Sequence, residues 1–238
     1  MQFAFWRLLV LNMLTYAVVH AATLTFVTAP GAQSAAGNPV NFVATVTTDT
    51  DLITVQLDNL VADPVAIDQV ITGLSFTLDF QDLAAIALSN VTGQLIFTPV
   101  NGAAPAIDNT DSIDHWGVSS SSATVSTTAI SLTAFVGGTP SDGVIGKPGA
   151  NGSYNNVNSS ITNGHASPLI LYDAIFRISL PGVTQSTSIA SPVFTLGTSS
   201  TDTVNGFVAT PEPGTVGMIF LAGAFGLLGF VTNRRSHR

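Results

Sequence analysis

Cysteine is absent from the 238-residue sequence, and only 8% of its residues are charged. The absence of cysteine excludes disulfide bonds and thiolate metal sites, so a folded domain must rest on its hydrophobic core alone. Glutamate is nearly absent as well, since Glu212 is the one acidic residue that is not aspartate. Residues 22–209 hold 13 Asp against Lys147 and Arg177, a net charge of −11. This charge excludes binding of nucleic acid or anionic lipid by electrostatic attraction.

The motifs of common enzyme families are also missing. The sequence contains no Gly-x-Ser-x-Gly nucleophile elbow, no His-Glu-x-x-His pair and no phosphate-binding loop. Residues 22–209 hold two histidines, His115 and His165. A pair of aspartates could hydrolyse a glycoside, but nothing in the sequence singles out one pair. We therefore predict that the protein is not an enzyme, with a secreted hydrolase as the alternative.

A long apolar run occurs once near the C-terminus. Residues 214–231 carry no charge, and as a helix they would extend about 27 Å, close to the ~30 Å hydrocarbon core of a bilayer. Arg234, Arg235 and Arg238 follow the run, and basic residues that flank a span tend to stay in the cytoplasm. The pattern predicts a transmembrane helix at 214–231 with a basic cytoplasmic end. A buried C-terminal helix of the domain is the alternative.

The tripeptide Pro211-Glu212-Pro213 directly precedes this run. Its prolines disfavour helix and favour an extended backbone that displays one carboxylate. The tripeptide, the glycine-rich apolar run and the Arg234-Arg235 cluster together resemble the PEP-CTERM sorting signal of Gram-negative bacteria. The resemblance covers residues 210–238 only, and Thr210 stands where the family commonly has valine.

The resemblance implies that exosortase, a membrane protease-transpeptidase, recognises the tripeptide and processes the chain near it. The alternative is that the two prolines merely separate the domain from a helix. PEP-CTERM systems tend to accompany exopolysaccharide production. The resemblance therefore implies a protein of the cell surface or extracellular matrix, anchored in the inner membrane before processing. Exosortase and the membrane are its expected partners, and exopolysaccharide is a further candidate.

The N-terminal residues 1–21 have the pattern of a secretory signal peptide. Arg7 precedes an apolar stretch at Leu8–Val19, which is short for a membrane span. Small side chains predict cleavage between Ala21 and Ala22, and an uncleaved anchor is the alternative. Both ends of the chain therefore predict that residues 22–209 lie outside the cytoplasm.

Alternation between apolar and polar residues marks the region between the two ends. It recurs in segments 40–46, 53–57, 74–80 and 170–180, and a period of two indicates strands with one buried face. Shorter β-branched runs occur at 24–27, 91–98, 115–118, 123–127, 130–136, 193–196 and 204–208. We predict an all-β domain at 22–209, an antiparallel β-sandwich of jelly-roll or immunoglobulin-like type.

Two polar segments, 99–114 and 137–168, interrupt these strands. The longer one is rich in Gly, Asn, Ser and Pro, and we expect it to protrude as an irregular loop, because long loops are usually functional or mobile. Trp116 and Tyr154 are candidates for ligand contact if they lie together on an exposed face. Tyr172 is assigned to the core by its place in the alternating pattern. A carbohydrate-binding or adhesive module would need the two exposed rings.

Calcium is the cofactor that the aspartates suggest, because it takes oxygen ligands. Asp108, Asp111 and Asp114 lie within seven residues, and Asp49 and Asp51 form another close pair. Neither group matches the twelve-residue calcium loop of helix-loop-helix proteins. Solvated aspartates are common in turns, where they bond their own backbone. We predict no cofactor and no metal, with calcium as the alternative.

Overall fold

A computed structural model of the chain describes residues 22–80, 85–124, 126–164 and 166–209. In these ranges the strands form one sheet of 11 strands. Their bounds are β1 Ala22–Thr28, β2 Phe42–Asp49, β3 Leu52–Asn59, β4 Ile71–Leu78, β5 Ala87–Ile96, β6 Gly117–Ser122, β7 Thr128–Thr133, β8 Val144–Ile145, β9 Leu169–Ser179, β10 Ile189–Leu196 and β11 Thr203–Val208. The helical elements are the short 3₁₀ turn Ile67–Gln69 and the helix α1 Ser159–Thr162.

The sheet closes on itself into a barrel of eight strands. The order around the ring is β10, β11, β1, β2, β3, β9, β8 and β4, and β4 pairs with β10 to complete it. Neighbouring strands are antiparallel except β8 and β9, which are parallel. β7 and β6 continue the sheet beyond β4, and β5 pairs with β9 outside the ring. Closure provides each strand of the ring with partners on both edges.

The all-β prediction is therefore confirmed, whereas the prediction of a sandwich is wrong. The two-residue strand β8 makes the difference, because Val144 pairs with Ile71 of β4 and with Ile170 of β9. This strand closes the ring, because without it the same sheet would remain open between β4 and β9. It lies inside segment 137–168, which sequence patterning assigned to a loop.

The core fills the barrel with the apolar residues of the alternating segments. Phe42, Ala44 and Val46 of β2 are completely buried, and so are Ile53, Val55 and Leu57 of β3. Their sequence neighbours on the other face are partly exposed and mostly polar. Burying the apolar face of these strands is the main stabilising term that the sequence offers, since it has no disulfide.

Tyr172 is the exception to this alternation. Its φ of 70° lies in the left-handed region, at a register shift of the pairing between β5 and β9. The irregularity turns the side chain out of the core, so the tyrosine is partly exposed. Lys147 Nζ lies 3.6 Å from the centre of its ring, in a cation–π contact. The prediction that Tyr172 belongs to the core is wrong for this reason.

Segment 137–168 does not protrude as expected, because much of it packs against the barrel. Tyr154, Val157 and Ile161 are buried in a second, smaller apolar cluster with Val70 and Ile96. Residues 136–139 remain exposed. A few apolar side chains among polar ones are enough to bury the segment. Tyr154, Val157 and Ile161 have the spacing of one helix face, although the chain is helical only at Ser159–Thr162.

Several predicted features lie outside the described residues. They are the signal peptide with Ala21, the sorting motif Pro211, Glu212 and Pro213, the span 214–231 and the basic residues Arg234, Arg235 and Arg238. Ala22, the predicted first residue after cleavage, is the first residue of β1. In the part of the chain that the structure describes, no helix has the length and apolar character needed to cross a membrane.

Candidate functional site

A fully buried aspartate lies where segment 99–114 meets segment 137–168. Asp142 has 0% exposure and a φ of 59°, a conformation that aspartate adopts more readily than most residues. Its N–H donates to the carbonyl of Pro168 at 2.9 Å. Its own carbonyl accepts a hydrogen bond from Trp116 Nε1 at 2.8 Å. These contacts hold the backbone of Asp142 from both sides.

The two carboxylate oxygens of Asp142 have different surroundings. Oδ2 accepts hydrogen bonds from the N–H groups of Asp114 and His115, both at 3.0 Å. Oδ1 is buried and has no hydrogen-bond partner among the described residues. Burial raises the pKa of Asp142, and the hydrogen bonds from His115 and Asp114 offset this only in part. The carboxylate is thus held in place, while one of its two oxygens lacks a hydrogen-bond donor among the described residues.

His115 brings a second carboxylate to the same point. Its Nδ1 lies 3.2 Å from Asp142 Oδ2 and 2.9 Å from Asp114 Oδ1. The side chains of His115 and Asp114 are 40% and 64% exposed, so solvent reaches the site from their side. One ligand atom from each of the three residues lies within 4.8 Å of the other two. Two carboxylates around one imidazole nitrogen can share either a proton or a metal ion.

Trp116 follows His115 in the sequence, and its side chain is buried beside Asp142 instead of facing solvent. It is 5% exposed, and its ring packs on Phe176 with the ring centres 4.5 Å apart. Tyr154 is completely buried, its hydroxyl donates to the carbonyl of Gly146 at 2.9 Å, and burial raises its pKa. The structure therefore does not place either ring on an exposed face where it could stack on a sugar.

The aspartates of segment 108–114 do not assemble as one calcium site. Asp108 accepts hydrogen bonds from the N–H and the hydroxyl of Thr110 at 2.8 and 2.7 Å, and the Thr110 hydroxyl is the main cause of its lowered pKa. Asp111 accepts from the N–H of Ser112 at 2.8 Å. These are turn contacts of the kind that aspartate makes with its own backbone. Asp114 alone turns toward the site described above.

The pair Asp49 and Asp51 is likewise divided between separate contacts. Gln185 Nε2 donates to Asp49 Oδ1 at 2.8 Å, and this hydrogen bond is the largest cause of the lowered pKa of Asp49. Asp51 Oδ1 accepts from the N–H of Gly182 at 2.6 Å. Both carboxylates therefore accept hydrogen bonds from the turn that connects β9 to β10 and help to stabilise it.

Sequence reasoning missed Asp142, the residue on which the site depends. It stands in Ser141-Asp142-Gly143, a sequence that reads as an ordinary turn. The signal that could have drawn attention to it is its location in the long Gly- and Asn-rich segment. Its distance of 27 residues from His115 left no local pattern to connect the two.

A second group of charges lies on the outer face of β3 and β9. Asp58 and Asp173 are direct partners in the antiparallel pairing of these strands. Burial raises the pKa of Asp173, Asp58 raises it further, and Lys147 lowers it. Gln56 Nε2 donates to Asp58 Oδ1 at 3.0 Å. Two like charges directly opposite each other destabilise a sheet.

No family model and no curated protein matches the chain. Among solved structures, Clostridium perfringens delta-toxin is similar to it with 10% sequence identity, over 81% of this chain and 85% of that chain, at a TM-score of 0.20. A similarity of this degree carries no argument about fold or function.

Proposed function

We propose that the chain is an exported, non-enzymatic protein of the cell envelope or extracellular matrix, which exosortase sorts through residues 210–238. The tripeptide Pro211-Glu212-Pro213, the apolar run and the terminal arginines support the proposal. The observation that carries it is the order of these three parts, since the tripeptide directly precedes the apolar run and the arginines follow it.

The outer face of the barrel suits a role among neutral polysaccharides. The hydroxyls of Thr23 and Thr47 lie 2.9 Å apart, and those of Thr25 and Thr45 lie 3.4 Å apart, on the outer face of β1 and β2. Such a surface offers hydrogen bonds instead of positive charge. The sequence net charge of −8 works against association with anionic polymers.

The two other hypotheses receive less support from the site. An adhesive module that stacks sugars on Trp116 and Tyr154 would need exposed rings, and both are buried. A hydrolase would need two carboxylates that reach a substrate across a cleft. Asp142 has 0% exposure, so its carboxylate does not reach one.

The sorting step can be tested in the native host by replacing Pro211, Glu212 and Pro213 with alanine. We expect the variant to accumulate as unprocessed precursor in the membrane fraction, because its processing enzyme no longer recognises it. Thr210→Val is the matched control, since it introduces the residue that the resembled family commonly has, and it should mature like the wild type. Identical maturation of the triple variant and the wild type would contradict the proposal.

A further inference from the structure

We propose that Asp114, His115 and Asp142 form a binding site for one divalent transition-metal ion, with Zn²⁺ as the reference ion. The site needs no tail and no sorting enzyme, so it stands or falls separately from the proposed function. Three protein ligands leave at least one position of a tetrahedral ion open to water or to a further ligand.

The first argument is the spacing of the donor atoms. Ligands that share a zinc ion at about 2.1 Å lie roughly 3 to 3.5 Å from one another. His115 Nδ1 lies 2.9 Å from Asp114 Oδ1 and 3.2 Å from Asp142 Oδ2. All three donors lie within 4.8 Å of one another. A small movement of the exposed Asp114 side chain would bring its carboxylate and that of Asp142 to the separation that a shared ion requires.

The second argument is the unpartnered oxygen of Asp142. A buried oxygen without a donor costs about 1–3 kcal/mol, and more when it carries charge. Asp142 Oδ1 is in this position, and among the described residues the ion-pair partner of this carboxylate is His115, through Oδ2. A metal ion between His115 and Asp142 would place positive charge beside this carboxylate.

The third argument is the rigidity of the ligands before any ion binds. The backbone of Asp142 is fixed by Pro168 and by the indole of Trp116. Its Oδ2 in turn holds the N–H groups of Asp114 and His115. Groups that orient the ligands in this way typically raise metal affinity 10- to 100-fold.

The chemistry of the donors selects the class of ion. Calcium and magnesium prefer oxygen ligands, whereas an imidazole nitrogen favours zinc and its neighbours in the first transition series. Because His115 and Asp114 are partly exposed, an ion can enter from solvent without opening the barrel. The site therefore differs from the calcium site that the aspartates of segment 108–114 suggested.

The test is a titration of the untagged full-length chain, kept in detergent, with Zn²⁺ at pH 7.5. Isothermal titration calorimetry measures the stoichiometry and the dissociation constant. We expect one ion per chain with a micromolar dissociation constant. Asp114→Asn should weaken binding at least tenfold, and the fold should tolerate this change at an exposed position. Asp142→Asn should abolish binding, and a Co²⁺ titration should show the visible absorption of nitrogen and oxygen ligands.

Asp111→Asn is the matched control, because Asp111 lies in the same segment but outside the site. It should bind Zn²⁺ as the wild type does. The proposal is overturned if the wild type binds no stoichiometric ion at 100-fold the expected dissociation constant. It is equally overturned if Asp114→Asn and Asp142→Asn bind as tightly as the control, which would leave His115 as a partner in an ion pair only.

Discussion

At the scale of single residues, buried polar side chains connect the irregular segments to the barrel. Asn59 is completely buried at the end of β3. Its Nδ2 donates to the carbonyls of Gln69 and Val144, both at 2.8 Å, and its Oδ1 accepts from the N–H of Val61 at 3.1 Å. One side chain thus bonds backbone groups of three separate segments.

Asn59→Leu should lower the free energy of unfolding by about 3 kcal/mol, since it leaves buried backbone groups without partners. Denaturant unfolding of the purified protein measures the change. Asn101 also bonds a carbonyl, that of Val157 at 2.8 Å, but its position is exposed, so Asn101→Leu is a control that should cost much less. Equal losses in the two variants would contradict this account of Asn59.

Asp58 and Asp173 allow a prediction about pH at the same scale. The pKa of Asp173 is raised from 3.8 by burial and by Asp58, so the folded state binds its proton more tightly than the unfolded state. The resulting stability is present below pH 3.8 and is lost as the pH rises through the folded pKa. Asp58→Asn removes the like charge and should stabilise the protein at pH 7 by roughly 0.5 kcal/mol.

Unfolding curves at pH 7 and pH 3 check this prediction. The advantage of Asp58→Asn should shrink at pH 3, because the raised pKa of Asp173 means that the like-charge repulsion is weaker there in the wild type. Asp111→Asn, which changes the same charge away from the pair, is the control. A variant that is less stable than the wild type at pH 7 would show that the two carboxylates do not repel each other.

At the scale of elements, the long alternating strands could be predicted from the sequence and the short ones could not. β2, β3, β4 and most of β9 follow a period of two, which reports one buried face. β8 has two residues, too few for any period, yet it joins β4 to β9. The described residues of segment 123–127, which was predicted as a strand, lie outside β6 and β7.

The candidate site could be predicted only in part for a related reason. Asp114 and His115 are neighbours in the sequence and could be considered together, whereas Asp142 is 27 residues from His115 and only the fold brings it next to them. The burial of Trp116 is likewise a tertiary effect, because Phe176 of β9 supplies the surface on which the ring packs. Local spacing does not reveal which distant strand covers a side chain.

The chain directly after β8 passes close to the backbone of Val61, and this contact gives a prediction at the scale of elements. A Cβ added to Gly146 would lie 1.9 Å from the carbonyl oxygen of Val61, so the backbone must move to accept one. Gly146→Ala should therefore cost about 2–3 kcal/mol or more through overpacking. Gly152→Ala, at a position with φ +78° and nothing within 4 Å, is a control that should cost about 1–2 kcal/mol. Thermal unfolding compares the two, and a cost at Gly146 no greater than at Gly152 would contradict the close passage.

At the scale of the whole molecule, the first and last described strands are neighbours in the barrel. β1 pairs with β11, with Phe26 opposite Val208. The closed ring therefore includes both ends of the described chain and needs no disulfide to hold them. In the proposed function, this barrel is the part of the protein that is exported, and the residues beyond it serve transport and sorting.

Topology is a prediction at this scale. A reporter fused after Arg238 should report a cytoplasmic location, because basic residues that follow a span stay inside. A reporter inserted between Gly137 and Gly138, where the chain is exposed, should report a location outside the cytoplasm. Digestion of the C-terminal reporter by protease added to intact cells would contradict the predicted orientation.

The most direct test of the proposed function is intact-mass spectrometry of the protein from the native host and from a strain that lacks exosortase. The account predicts a mature chain that begins at Ala22 and ends near Pro211-Glu212-Pro213 in the native host. In the strain without exosortase, the chain should begin at Ala22 and extend to Arg238. A chain that ends at Arg238 in both strains, or that begins at Met1, would contradict the account.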